Sequence, residues 1–181
     1  HERKRTMKIE AILVHHSASR FGCVRIIDEW HRARGWRMIG YHAVIGNGRP
    51  FRAGEYLPAY DGIVEVGRSH NFDTVIEPEE RGAHAAALGM NARSLGVCLI
   101  GRKLGDYTPA QLRALVDWLR VVSGNMKHHH GLTPDIKGHK EIDARKPVDP
   151  DLSMTRLRLL VAEGTDHRIF SDRDLKDFLQ P

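Results

Sequence analysis

Three residues of this sequence have the types that could hold a catalytic metal ion: His15, His139 and Asp149. His15 closes the apolar run Ile12-Leu13-Val14, where a strand can hold a side chain rigidly at the rim of a sheet. His139 follows Gly138 just after a short apolar stretch, and Asp149 stands between Val148 and Pro150. Two imidazoles and one carboxylate suit zinc and leave a fourth position for water, as a catalytic site needs. Spacing alone does not select these three, because His15 and His139 are too far apart for a local zinc motif. They could equally be a buried histidine, a loop histidine and an acidic turn residue.

The chain holds 12 histidines, so each has competitors. His128-His129-His130 is the most conspicuous cluster, but it follows a long helical stretch and precedes Gly131. Imidazoles there can cover a helix end in solvent, and adventitious metal binding is all they are expected to do. His31, His42, His70 and His167 are read as structural or surface residues. Cys23 and Cys98 lie far apart and form no CxxC pair, which excludes a thiolate zinc site.

The elements that must position these residues alternate between strands and helices. Lys8 to His15 turns from weak alternation into an apolar run, the pattern of an interior strand. Val24, Ile27 and Trp30 lie at helical spacing within residues 23–34, and Gly35 stops that helix. Tyr41 to Gly46 and Pro50 to Ala53 read as short strands joined by the turn pair Asn47-Gly48. Ser94 to Gly101 reads as a buried strand. Pro109 to Val122 is the clearest helix: Thr108 caps it, Pro109 suits its first position, and Gln111 completes a capping box. A short strand is expected at Ile136 to Gly138, a helix from Leu152 to Ala162 closing at Gly164, and a last helix at Ser171 to Leu179. The fold class is therefore α/β, one domain with a central mixed β-sheet flanked by helices. Residues 54–82 show weak periodicity, and long irregular segments in compact domains are usually functional or mobile.

At 181 residues, 41% hydrophobic and 28% charged, the chain can bury a real core. Its formal charge of +5 favours anionic partners, but the basic residues are scattered, so no nucleic acid partner is expected. No apolar run reaches the roughly 18 residues of a membrane span. The apolar stretch Ala11 to Val14 is too short for a secretory h-region, so synthesis in the cytoplasm without a signal peptide is expected. Met7 is a candidate native start, which would leave residues 1–6 as appended or disordered sequence before a single domain over 7–181.

The segment Ile12-Leu13-Val14-His15-His16-Ser17-Ala18 resembles the strand bearing the first zinc ligand in the type 2 N-acetylmuramoyl-L-alanine amidases, which share their fold with peptidoglycan recognition proteins. Further segments match in order. Trp30-His31 through Gly35-Trp36 resembles the family's helix exit, and Gly40-Tyr41-His42 its active-site tyrosine segment. Gly82-Ala83-His84 with Asn91, then Ser94 to Gly101, is similar to its central strand region. Gly138-His139-Lys140-Glu141 through Lys146 and Asp149-Pro150 resembles its closing zinc motif. The resemblance runs from about His15 to Pro150, most of the chain.

The resemblance implies zinc held by His15, His139 and Asp149, with His15 preferred to His16 because adjacent strand side chains face opposite ways. It implies a catalytic role for Tyr41 and oxyanion stabilisation by Lys146, and it makes His84 and Asn91 substrate-binding. One departure concerns Lys146: Pro147 fills the place two before the last ligand where the family's lysine stands, and Arg145 is the alternative charge. The implied reaction is hydrolysis of the amide between N-acetylmuramic acid and L-alanine, by a monomer acting on peptidoglycan or muropeptides. A phage or prophage endolysin acting on the wall after release is the favoured biology. The rivals are a cytoplasmic anhydromuropeptide-recycling amidase, a non-catalytic peptidoglycan-binding module, and a regulator with a protein partner.

Overall fold

The computed structural model describes residues 7–52 and 54–163. The expected helix at 171–179, Gly164, residue 53 and residues 1–6 lie outside the described residues.

The sheet is organised around β2 (Ala11–His16), whose residues from Ala11 to His15 are all buried. A strand apolar on both faces belongs in a sheet interior with helices on either side. On one side it pairs in parallel with β6 (Ser94–Leu99), setting His15 opposite Cys98; on the other it pairs in parallel with β7 (Asp135–Gly138), setting Val14 opposite Gly138. β3 (Ala43–Asn47) pairs in parallel with β6, and β4 (Asp61–Val66) closes the edge antiparallel to β3. The order is β4-β3-β6-β2-β7, a mixed sheet as expected. A separate antiparallel pair joins β1 (Met7–Lys8) to β5 (Val75–Ile76).

Strand alternation sorts the side chains onto two faces. Ile12, Val14, Leu95, Val97 and Leu99 pack with α2 (Pro109–His130) and α3 (Met154–Ala162), chiefly through Leu112, Leu115, Leu119 and Leu157. On the opposite face α1 (Val24–Ala33) packs Ile27 against Val44, Cys98 and Ile100. His15 shares the parity of Ala11 and Leu13, so its ring falls on the α1 face.

Three expectations are corrected. Asn47-Gly48 does not join β3 to a strand at residues 50–53; β3 turns back only at β4. The Asn47 amide donates to the carbonyls of Arg20 and Asp106 at 3.0 and 3.2 Å, contacts that hold the residue in the strand. Helix α2 runs past Val122 to His130, so the histidine run is its last turn, ended by Gly131 in the left-handed conformation. Its capping box of Thr108 and Gln111 stands as read from the sequence. Residues 54–82 contain β4, β5 and a short 3-10 turn at Pro58–Tyr60 rather than one long loop.

His42 ties β6 to the loop before it. Its Nδ1 accepts the Gly96 N–H at 3.0 Å, and its Nε2–H then donates to the Glu80 carbonyl at 2.8 Å. Burial lowers its pKa from the ordinary histidine value to about 4. The unfolded chain therefore takes up this proton at a higher pH than the folded one. The stabilisation is complete above about pH 6.5 and is lost as pH falls towards the folded value, by about 2 kcal/mol at pH 5. Urea unfolding at pH 7 and pH 5 is expected to show at least that drop, with the His42 ring resonances unshifted until well below pH 6. A His42 midpoint at the ordinary histidine value would contradict it.

Candidate metal centre

The parallel register of β2 and β7 brings the residues that follow Val14 and Gly138 side by side, and these are His15 and His139. Their rings lie 4.7 Å apart between centroids. Asp149 closes the group. Its Oδ2 lies 2.8 Å from His139 Nδ1 and 3.7 Å from His15 Nδ1, and its Oδ1 accepts the His16 N–H at 2.9 Å. Its carbonyl accepts the Lys140 N–H at 2.6 Å, tying the segment carrying Asp149 to the turn carrying His139. All three residues are buried, and one ligand atom from each lies within 4.8 Å of the others.

The chemistry of this donor set fits a metal ion. Burial lowers the His15 pKa, which keeps the ring neutral and a nitrogen lone pair free. Burial opposes the charge on Asp149, but hydrogen bonds from His139 and the His16 amide, with the His15 ring close by, outweigh it and hold the carboxyl well below the usual range. Two neutral imidazoles and an ionised carboxylate are what a divalent cation takes in a three-ligand site. His16 lies outside the triplet; its amide serves Asp149, while its Nδ1 is buried with no partner among the described residues.

The centre opens into a cavity of about 200 Å³ lined by Asp149, His16, Tyr41, Lys146, His31 and Arg34, with Ile27 and Trp30 as an apolar wall. The Tyr41 ring lies 5.2 Å from the His15 ring and 5.6 Å from that of His31. Burial, with the neighbouring Cys98 and Asp149, raises the Tyr41 pKa well above the ordinary phenol value, so its hydroxyl stays protonated. Lys146 reaches this cavity despite the altered spacing. Successive turns, Lys146 N–H to Asp143 O at 2.9 Å and Asp149 N–H to Lys146 O at 3.2 Å, absorb the extra residue. Arg145, the alternative cation, is clamped on Asp143 by two bonds of 2.9 Å. A larger cleft of about 920 Å³, lined by Arg20, Arg49, Arg52 and Arg102, has no metal-binding cluster among its described residues.

His84 and Asn91 are placed differently from the substrate contacts expected of them. His84 is buried, with Nδ1 2.9 Å from His15 Nε2 and Nε2 3.4 Å from the Ser94 carbonyl. Asn91 Oδ1 accepts the N–H groups of His84 and Ala85 at 2.8 and 2.7 Å, which shapes the loop. The sequence reading missed Trp30, His31 and Arg34 as cavity residues. With Ile27 they recur at i, i+3, i+4 and i+7 on one face of α1, and that spacing was the available signal. His31 Nδ1 accepts the Gly40 N–H at 2.9 Å, and burial lowers its pKa to about 4. Asp143, 3.9 Å from His139 Nε2, was also missed. His128, His129 and His130 contact one another at the exposed end of α2 and take no part in the cluster.

Comparison with known proteins agrees with this architecture. The family model described as N-acetylmuramoyl-L-alanine amidase matches residues 5–151. The endolysin of Enterobacteria phage T3 is 32% identical over 139 residues, covering 69% of this chain and 77% of the phage protein. The endolysin of Escherichia phage T7 is 30% identical over 145 residues, covering 72% and 81%. Among solved structures, the amidase LysC from Clostridium intestinale URNW superimposes with a TM-score of 0.62 at 24% identity, covering 84% of this chain and 85% of LysC. Drosophila PGRP-LB superimposes with a TM-score of 0.55 at 22% identity, covering 82% and 80%. At those identities the two structures speak for the fold.

Proposed function

This chain belongs to the N-acetylmuramoyl-L-alanine amidase family and is an amidase of that specificity; we propose that it works with a zinc ion held by His15, His139 and Asp149. The observation that carries the reading is the buried convergence of these three donors, of which Asp149 also lines a cavity together with Tyr41 and Lys146. Bound there, zinc supplies a Lewis acid for the scissile carbonyl and a water whose pKa is brought to about 7.

The chain's own residues supply the rest. Tyr41 presents a neutral phenol at the cavity wall, a donor for the negative charge that gathers on the carbonyl oxygen. Lys146 brings an ammonium to the same cavity from the opposite chain segment. Ile27 and Trp30 line the α1 side with apolar surface, which excludes water and strengthens both interactions. Arg34 and Lys146 make the cavity cationic, suited to the carboxylates of a stem peptide. The substrate is peptidoglycan, and the T3 and T7 relatives favour an endolysin acting on the wall after release. Among the described residues no helix is long and apolar enough to cross a membrane.

The test is hydrolysis of purified sacculi by protein as isolated, chelated, and restored with zinc, with products weighed by mass spectrometry. Stem peptides beginning with L-alanine are expected, lost on chelation and regained with zinc. Zinc content should be measured with His128, His129 and His130 changed to Gln, since that exposed run can take metal of its own. Hydrolysis unaffected by chelation, in a protein shown to be metal-free, would sink the zinc reading.

A further inference from the structure

We propose that His84 is a positioning residue, which fixes His15 in the tautomer whose bare Nδ1 faces Asp149. This rests on His15 being a metal ligand. The far end of a hydrogen-bond chain sets the protons along it. The Ser94 carbonyl can only accept, so the His84 Nε2 that lies 3.4 Å from it carries a hydrogen. No carboxylate bonds to the His84 ring among the described residues, and a buried imidazole without one is neutral. A neutral ring protonated at Nε2 is bare at Nδ1, so the 2.9 Å bond to His15 takes its hydrogen from His15 Nε2. That leaves His15 bare at Nδ1, the nitrogen 3.7 Å from Asp149 Oδ2.

The position of the His84 ring has a separate cause. A Cβ on Gly96 would fall 2.6 Å from His84 Cγ, and one on Gly82 would fall 2.4 Å from its Cδ2. The ring therefore occupies a slot that only glycine leaves open at both places. Gly96 pairs with Leu13 across β6 and β2, so the slot is built into the strands that carry the site. The His84 amide is held in turn by Asn91 Oδ1 at 2.8 Å. His139 has a comparable arrangement: its Nε2 faces Asp143 at 3.9 Å while its Nδ1 faces Asp149. Metal-ligating histidines commonly have their second nitrogen held this way, which sets both tautomer and ring orientation. For His15 the holder is another imidazole in place of a carboxylate.

Three measurements test this, in a background with His128, His129 and His130 changed to Gln. Long-range proton–nitrogen NMR of the metal-free protein is expected to find His15 and His84 both protonated at Nε2; this needs no change at the site. Chelator competition is expected to show zinc binding weakened about 10–100-fold in His84→Ala, the usual effect of losing such a partner. His84→Asn, whose amide oxygen can take the place of Nδ1, is expected to recover most of that loss. At saturating zinc, His84→Ala should regain kcat with KM near the parent value. Unchanged zinc affinity with a raised KM would make His84 a substrate contact and overturn the proposal. A parent that binds zinc with His15 protonated at Nδ1 would overturn the positioning role alone. A parent that binds no zinc would instead overturn the metal reading, whichever tautomer is found.

Discussion

Asp149→Ala is expected to give a folded protein that retains no zinc in the cavity and releases no stem peptide above background. The carboxylate is the one anion in the triplet, and it touches both imidazoles and the His16 amide. Without it only the two imidazole rings remain, and a divalent cation loses both a ligand and its charge neutralisation. The fold should survive, because the same segment stays anchored through the Lys140 N–H bond to the main-chain carbonyl of residue 149. Asp149→Asn separates shape from charge: it keeps an oxygen in place, yet zinc affinity is still expected to fall. Far-UV circular dichroism, metal analysis and product mass read the three parts separately. A metal-free Asp149→Ala protein that still released L-alanyl peptides would refute the assignment.

Tyr41→Phe is expected to retain zinc and lose about 10²–10³ in kcat, the usual cost of one oxyanion donor. The phenylalanine ring preserves the packing on His15 and His31, so the hydroxyl alone is removed. Because burial raises the phenol pKa, its contribution should persist through the alkaline range where an ordinary tyrosine would ionise. Lys146→Ala is expected to lower kcat by a smaller factor. Its exposed side chain must be ordered at each turnover, whereas Tyr41 is already held. Loss of zinc from Tyr41→Phe would make the tyrosine a structural part of the metal site and remove its catalytic role.

What could be read from the chain was what local sequence determines. β2 and β6 announced themselves because β6 is buried throughout and β2 from Ala11 to His15, and α2 because its cap, first proline and apolar stripe agree. β4 was hidden for the opposite reason. As an edge strand it is partly exposed along its length, so Asp61 to Val66 carries no strong apolar pattern. The Asn47-Gly48 reading failed on long-range contacts, since no neighbour in sequence reveals that the Asn47 amide answers to Arg20 and Asp106. Helix α2 outran its apparent end because Met126, buried beneath it, carries the helix through the weak helix formers Ser123, Gly124 and Asn125.

At the site, His15, His139 and Asp149 were found through resemblance, not through spacing. Their meeting depends on the parallel pairing of β2 with β7, which no short motif encodes. The buried placement of His84 was hidden for a related reason. A histidine on a loop looks like a ligand contact until the glycines that admit its ring to the interior are seen in register.

The position of β2 also bears on how the chain is made. It leaves the ribosome well before its two partners, β6 and β7. An apolar strand whose neighbours are remote in sequence waits unpaired during synthesis, the kind of segment that folds slowly and attracts chaperones. The same order delays the chemistry. Any nascent chain shorter than residue 139 has only His15 of the three proposed ligands, and the carboxylate arrives after both imidazoles. On the proposed ligand set, the site would stay incomplete until almost all of the described region had left the ribosome.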